Sequence, residues 1–203
     1  MTMAEALRGT GLSGAILAGG EGKRLRGDKA RLVVGKRPVL IQLIDLLQEV
    51  CGEVVVAIGK RRPLPFPVEA PLVEDRFPGK GPLAGIHAAL SATSGEACLV
   101  LACDMPFVRR ELIGALLKRK KPSRTVVFAI GGYLEPFPGI YPRSLLSRLE
   151  EALIEGELGV QELLRRVPCV VLPESLARRA DPGLISFTNV NAPQDLVREE
   201  RCV

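Results

Sequence analysis

The chain has 203 residues, of which 47% are hydrophobic and 25% charged, and it carries a net charge of +5. That length and balance describe a single globular domain spanning 1–203 with a substantial core, and they exclude a disordered chain. No apolar run reaches the roughly 18 residues of a membrane span and the first residues lack a signal-peptide core, so a cytoplasmic protein with no membrane contact is expected.

The first element is a buried strand at Gly14-Ala15-Ile16, which turns over into a glycine-rich segment. Val39 to Val50 then places Leu40, Leu43, Ile44 and Leu47 at helical spacing, and Gly52 stops that helix. Glu53 to Ile58, rich in β-branched valine, predicts the second strand, ended by Gly59 and the basic, proline-rich stretch Lys60 to Pro67. A third strand is expected at Val68 to Val73. Gly81-Pro82-Leu83 opens a helix to Ala92, with Pro82 in the first turn, where its missing N–H is harmless. Ala97 to Ala102 reads as an apolar fourth strand and Val108 to Lys120 as a helix. Further strands are expected at Thr125 to Ile130, Gly139 to Tyr141, Cys169 to Leu172 and Leu184 to Val190, and helices at Pro142 to Ile154, Val160 to Arg166 and Pro193 to Glu200. Apolar strands alternating with amphipathic helices predict an α/β fold with a mostly parallel sheet covered on both faces. Such sheets place their sites beyond the carboxyl ends of the strands.

Three segments fall at such ends. In Leu17-Ala18-Gly19-Gly20-Glu21-Gly22-Lys23-Arg24, followed by Asp28-Lys29, glycines let backbone N–H groups approach an anion closely, and Lys23, Arg24, Lys29 and Arg31 supply positive charge. The spacing is neither G-x-x-x-x-G-K-[ST] nor G-x-G-x-x-G, because Leu25 stands where the dinucleotide fingerprint needs glycine. Glu74 to Ile86 ends a strand with Asp75 and crowds glycine and proline around a helix start, a loop able to mould to a base or sugar. In Leu101-Ala102-Cys103-Asp104-Met105-Pro106-Phe107 an aspartate terminates an apolar strand. A carboxylate there suits either Mg²⁺ held against a triphosphate or a helix cap.

The five cysteines form no C-x-x-C pair and the one histidine, His87, completes no zinc pattern. Reduced structural thiols and a helix histidine are expected. With no Trp, two Tyr and no basic stripe interleaved with aromatics, nucleic acid is not an expected partner, whereas the net positive charge suits phosphorylated small molecules.

Leu17 to Lys29, Asp75 to Ile86 and Cys103 to Phe107 together resemble the motifs of the molybdenum cofactor guanylyltransferases, the MobA family. Glu135-Pro136-Phe137-Pro138-Gly139-Ile140-Tyr141 is similar to their P-E-P-L-x-x-x-Y stretch, and Phe187-Thr188-Asn189-Val190-Asn191-Ala192-Pro193-Gln194-Asp195-Leu196 to their F-x-N-[IV]-N-[TS]-P-E-[DE]-L ending. The resemblance runs nearly end to end. It implies a Rossmann-like nucleotide-diphosphate-sugar transferase fold, with a mostly parallel central sheet flanked by helices. It also implies transfer of GMP from GTP to the terminal phosphate of the molybdopterin cofactor, with Mg²⁺ as cofactor and release of pyrophosphate. By the same resemblance, Leu17, Ala18, Gly19, Gly20, Lys29, Asp75 and Asp104 are expected to bind GTP and Asp104 the metal ion. Arg24, Lys29 and Asp104 are expected to carry the chemistry, and Asn189 and Asn191 to bind the acceptor. Transient contact with molybdopterin-loading proteins and recipient apo-enzymes follows as an implied partnership. The chain departs from the family at Gly22, Arg26 and Gly59, where many members have Ser, Gly and, in some, Asn. The alternatives are a cytidylyltransferase on the same pterin, which tends to read L-A-A-G, another phosphate-acceptor nucleotidyltransferase, or a non-catalytic nucleotide-binding protein on this fold.

Overall fold

The first strand, β1 (Leu12–Leu17), is buried at every position, as a central strand covered on both faces must be. In the computed structural model, which describes residues 11–19, 31–60, 64–156 and 159–190, it is followed by a small antiparallel hairpin of β2 (Val33–Val34) and β3 (Arg37–Pro38). The chain continues through α1 (Val39–Gln48), β4 (Glu53–Ala57), β5 (Leu72–Val73), α2 (Pro82–Ala92), β6 (Ala97–Ala102) and α3 (Arg110–Leu117). It then passes through β7 (Thr125–Ile130), β8 (Tyr133–Pro142), α4 (Leu146–Glu155), α5 (Val160–Arg166), β9 (Cys169–Leu172) and α6 (Glu174–Ala180).

Seven strands form one sheet in the order β5-β4-β1-β6-β8-β7-β9. β1 pairs in parallel with β4 and β6, β4 with β5, and β7 with β9, while β8 runs antiparallel to both neighbours. Every strand except β8 therefore points the same way, and one edge of the sheet gathers the carboxyl ends of β1, β4, β5 and β6.

Strand side chains alternate between two cores, as the period of 2 requires. Ile16, Val54, Val56, Leu99 and Leu101 pack with α1, α3 and α6 on one face. Ala15, Leu17, Val55, Ala57, Cys98 and Val100 pack with α2, α4 and α5 on the other. Among the described residues no helix is long and apolar enough to cross a membrane.

The structure departs from the sequence reading in several places. The strand expected at Val68 to Val73 shrinks to Leu72–Val73, since Pro67 and Pro71 cannot donate to a ladder. Leu184 to Val190 is not a strand. Leu184 takes a left-handed φ of 54° and Ile185–Phe187 form a 3-10 turn, so the expectation fails there. The strand expected at Gly139 to Tyr141 extends to ten residues as β8, whose register against β7 shifts between Val126 and Phe128, and Pro136 and Pro138 fall in that irregular part. The Pro193 to Glu200 helix lies outside the described residues.

Candidate functional site

The carboxyl edge of the sheet is laced together by backbone hydrogen bonds that run through the expected site residues. Ile58 N donates to Val73 O at 2.9 Å, and Asp75 N donates to Gly59 O at 2.8 Å, which seats Asp75 over the end of β4. Ala18 N donates to Ala57 O at 2.8 Å, so the end of β1 joins the same row. Cys103 N donates to Leu17 O at 3.1 Å, and Val190 N donates to Asp104 O at 2.8 Å. Asp75, Ala18, Leu17, Asp104 and Asn189 are thus brought to one edge, although they span most of the chain. Gly20, Arg24, Lys29 and Asn191 lie outside the described residues.

Gly19 is exposed and its neighbour Ala18 is buried. The backbone after β1 passes so close to that after β4 that a Cβ on Gly19 would stand 2.8 Å from Gly59 N and 3.1 Å from its Cα. Backbone atoms cannot yield as a flexible side chain would, so glycine is required at 19. Gly59 itself has a φ of 73°, a conformation that glycine adopts without strain.

Asp75 is half-buried, and its Oδ1 is shielded from solvent with no hydrogen-bond partner among the described residues. Burial pushes its carboxyl up to about 6. An acceptor in that condition costs roughly 1–3 kcal/mol until a donor reaches it, and a bound nucleotide offers donors. The loop beyond it is pinned from outside the row. Arg76 pairs with Glu150 of α4 at 2.6 Å and lies over the Phe77 ring at 5.6 Å. Phe77 meets His87 edge-on at 5.2 Å. Gly81, with a φ of 69°, turns the chain into α2, and Pro82 starts the helix.

Asp104 lies in the turn two residues beyond the end of β6 and is 8% exposed. Among the described residues no group of three His, Cys, Asp or Glu could hold a metal ion. One strand-end carboxylate still fits Mg²⁺, which takes one or two carboxylate oxygens and completes its shell with phosphates and water. Asn189 is exposed beside it, carried by the bond from Val190.

The described cysteines are free, as expected, and Cys202 lies outside the described residues. His87, expected as a hydrogen-bonded or half-exposed helix histidine, is instead buried, and its Nδ1 has no hydrogen-bond partner among the described residues. His87 is 3% exposed, and burial holds its imidazole below its ordinary value, with Glu150 pulling it up and Arg76 pressing it down. Burial pushes the Cys51 thiol up to about 12 and Cys98 well above the usual range, and Cys103 is buried. None of these thiols is poised as a nucleophile. Sequence reasoning missed the tie between the Asp104 loop and the C-terminal stretch, made by Arg109, Asp181 and Ser186. The local signal was Asp181-Pro182-Gly183, a turn dictated by its residue types.

Residues 14–170 match the model of the MobA-like NTP transferase domain. The "probable molybdenum cofactor guanylyltransferase" of Pelotomaculum thermopropionicum is 33% identical over 187 residues, covering 92% of this chain and 90% of that protein. The molybdenum cofactor guanylyltransferase of Desulfosudis oleivorans is 29% identical, covering 95% and 96%. Molybdopterin-guanine dinucleotide biosynthesis protein A from Archaeoglobus fulgidus superposes with a TM-score of 0.78 at 30% identity, covering 94% and 98% of the two chains. The fold alone is shared with 2-C-methyl-D-erythritol 4-phosphate cytidylyltransferase of Thermus thermophilus, at a TM-score of 0.70, 23% identity and coverage of 94% and 97%. The match of the family model over residues 14–170, together with these relatives, makes the chain a member of the MobA-like NTP transferase family.

Proposed function

We propose that this enzyme transfers GMP from GTP to the terminal phosphate of molybdenum-bound molybdopterin, forming the guanine dinucleotide cofactor and releasing pyrophosphate. The observation that carries this reading is the single row into which Leu17, Ala18, Asp75, Asp104 and Asn189 are drawn, four separate motifs meeting at one sheet edge. An acceptor phosphate oxygen attacks the α-phosphorus, the bond from that phosphorus to the α,β-bridging oxygen breaks, and pyrophosphate leaves with the electron pair. The nucleophile is already ionised, so positioning and charge neutralisation do the catalytic work.

In this reading the backbone of Leu17, Ala18, Gly19 and Gly20 approaches the nucleotide, and Arg24 and Lys29 neutralise the phosphates. Asp75 accepts a hydrogen bond from GTP. Asp104 holds Mg²⁺, which when bound neutralises charge on the triphosphate. Asn189 and Asn191 hold the acceptor. The chain acts as one nucleotidyltransferase domain over 1–203, with GTP and metal toward its N-terminal part and the acceptor toward its C-terminal part. It works in the cytoplasm and meets molybdopterin-loading proteins and apo-molybdoenzymes only in passing.

Guanine is favoured over cytosine by the approach of Gly19 to Gly59, since the alanine that the cytidylyl pattern puts at 19 has no room here. The deciding experiment is incubation with GTP or CTP, Mg²⁺ and loaded molybdopterin, with the product identified by mass. The guanine dinucleotide is expected. Equal or better turnover with CTP rejects the base assignment, and no product with either nucleotide rejects the transferase reading.

A further inference from the structure

Asp181 and Ser186 are both completely buried, and their polar atoms are spent on one another and on the loop that follows Asp104. Asp181 Oδ2 accepts a hydrogen bond from Ser186 N at 2.7 Å. Ser186 Oγ accepts one from Arg109 N at 3.1 Å and donates to Phe107 O at 3.3 Å. Arg109 Nε lies 3.4 Å from Asp181 Oδ1, which makes no hydrogen bond, so charge alone compensates that oxygen. Phe187 is held edge-on against Phe128 of β7 at 5.6 Å.

A buried carboxylate with one hydrogen bond and a half-exposed arginine is a poor means of stabilising a fold, because the desolvation of the charge offsets most of the pairing energy. What such a group does well is select one arrangement among several. Here it joins two segments that reach the candidate site from opposite parts of the chain. Phe107 and Arg109 follow Asp104 by a few residues, and Ser186 precedes Asn189 by three. Beyond the tie, the two segments meet again where Val190 N donates to Asp104 O at 2.8 Å.

We infer that Arg109, Asp181 and Ser186 are positioning residues that fix the Asn189 segment against the Asp104 loop and so hold the acceptor in line with the nucleotide. The inference rests on the assignment of Asp104 to the metal ion and Asn189 to the acceptor proposed above. None of the three touches substrate. Their effect therefore falls mainly on the acceptor half of the reaction, while GTP, most of whose proposed contacts come from the β1, β4 and β5 ends, is affected little.

The test is steady-state kinetics with GTP and acceptor varied separately, GTP affinity by calorimetry, and the active fraction by titration, on Asp181→Ala, Asp181→Asn, Ser186→Ala and Arg109→Gln. Asp181→Ala and Ser186→Ala are expected to raise the acceptor KM about tenfold while GTP affinity changes less than about twofold. Asp181→Asn keeps an oxygen for Ser186 N and is expected to recover most of the loss. Arg109→Gln changes a half-exposed side chain and keeps the backbone N–H, so it folds even where the buried variants do not, and a rise of about threefold in acceptor KM is expected. An unchanged acceptor KM in Arg109→Gln and in any folded buried variant overturns the inference. So does a loss of GTP and acceptor activity in strict proportion to the active fraction. Asn189→Asp serves as the control. If it raises the acceptor KM while the tie variants do not, only the tie is wrong. If it too leaves the acceptor KM unchanged, the acceptor assignment and the tie fall together.

Discussion

Asp104 and Asp75 are both carboxylates just beyond strand ends, and the structure gives them different surroundings. Asp104 is nearly buried in the turn just beyond the end of β6, where the proposed reading puts the metal-bound triphosphate. Asp104→Asn keeps the shape and loses the charge, so kcat should fall at least about a hundredfold, roughly 3 kcal/mol of transition-state stabilisation, with the melting temperature nearly unchanged. Wild-type turnover of that variant at ordinary Mg²⁺ would remove Asp104 from the metal site. Asp75 is instead raised to about 6 by burial, from an ordinary value of 3.8. The folded state binds that proton more tightly than the unfolded one, so this group's contribution to stability is greatest below pH 3.8 and is lost as pH rises through about 6. Asp75→Asn should therefore raise the melting temperature at pH 7.5, with the gain shrinking in acid. In the proposed reading the ionised form is the one that accepts from GTP, so the GTP KM of the wild type should climb as pH falls below about 6 and lose that dependence in the variant. A GTP KM for Asp75→Asn equal to that of the wild type across this range would show that the carboxylate does not meet the nucleotide.

At the scale of elements, the site depends on how closely strand ends approach one another. Gly19→Ala puts a Cβ within 2.8 Å of Gly59 N, which must push the β1 and β4 ends apart just where the nucleotide loop begins. A loss of about tenfold or more in GTP affinity is expected, measured by calorimetry, with the fold retained by circular dichroism. Unaltered GTP binding would mean that the two ends separate at no cost to the site. The strand ends themselves were legible in the sequence, because Ala97 to Ala102 and Glu53 to Ile58 are unbroken apolar or β-branched runs bounded by punctuation. So were the positions of Gly19, Asp75 and Asp104, each standing just beyond where such a run stops. What stayed hidden depends on contacts distant in sequence. The segment Leu184 to Val190 alternates like a strand, yet Asp181 takes the Ser186 N–H that a ladder would need and the chain turns. The length of β8 was hidden by Pro136 and Pro138, which depress a strand reading locally although they sit where the register shifts. The helix Glu174–Ala180 escaped notice because only Ala177 on it is buried, so it carries no apolar stripe, whereas Val160–Arg166, of the same length, buries Val160, Leu163 and Leu164. The pairing of Arg76 with Glu150, 74 residues apart, has no local signature at all.

Across the whole molecule, binding and stability are assigned to opposite edges of one sheet. The candidate site occupies the carboxyl edge, while the amino edge is closed by a network centred on Ser13 and Glu53. Ser13 Oγ donates to Glu53 Oε1 at 2.7 Å and accepts from Gly95 N at 3.0 Å, and Ser94 adds its N–H at 2.5 Å and its hydroxyl at 2.8 Å to the same carboxylate oxygen. These bonds tie β1 to β4 and to the turn entering β6, the three strands whose other ends carry Gly19, Gly59 and Asp104. Burial raises the Glu53 carboxyl, but the hydrogen bonds from Ser13, Ser94 and Gly95 outweigh it and hold the group below its ordinary 4.5. Its contribution is therefore present above pH 4.5 and is lost as pH falls through the lowered folded value. Ser13 is completely buried, so Ser13→Ala removes an acceptor from the Gly95 N–H and a donor from Glu53. The expected cost is about 1–3 kcal/mol, a drop of several degrees in melting temperature for a chain of this size. The gap between variant and wild type should narrow in acid as Glu53 is protonated. Ser13 and Glu53 sit at the amino ends of β1 and β4, at the far edge of the sheet from the candidate site, so KM for GTP and for the acceptor should be unchanged at temperatures well below the melt. A melting temperature that holds while KM for GTP shifts would show that the amino edge sets the spacing of the strand ends, and that stability and binding are not separable across this sheet.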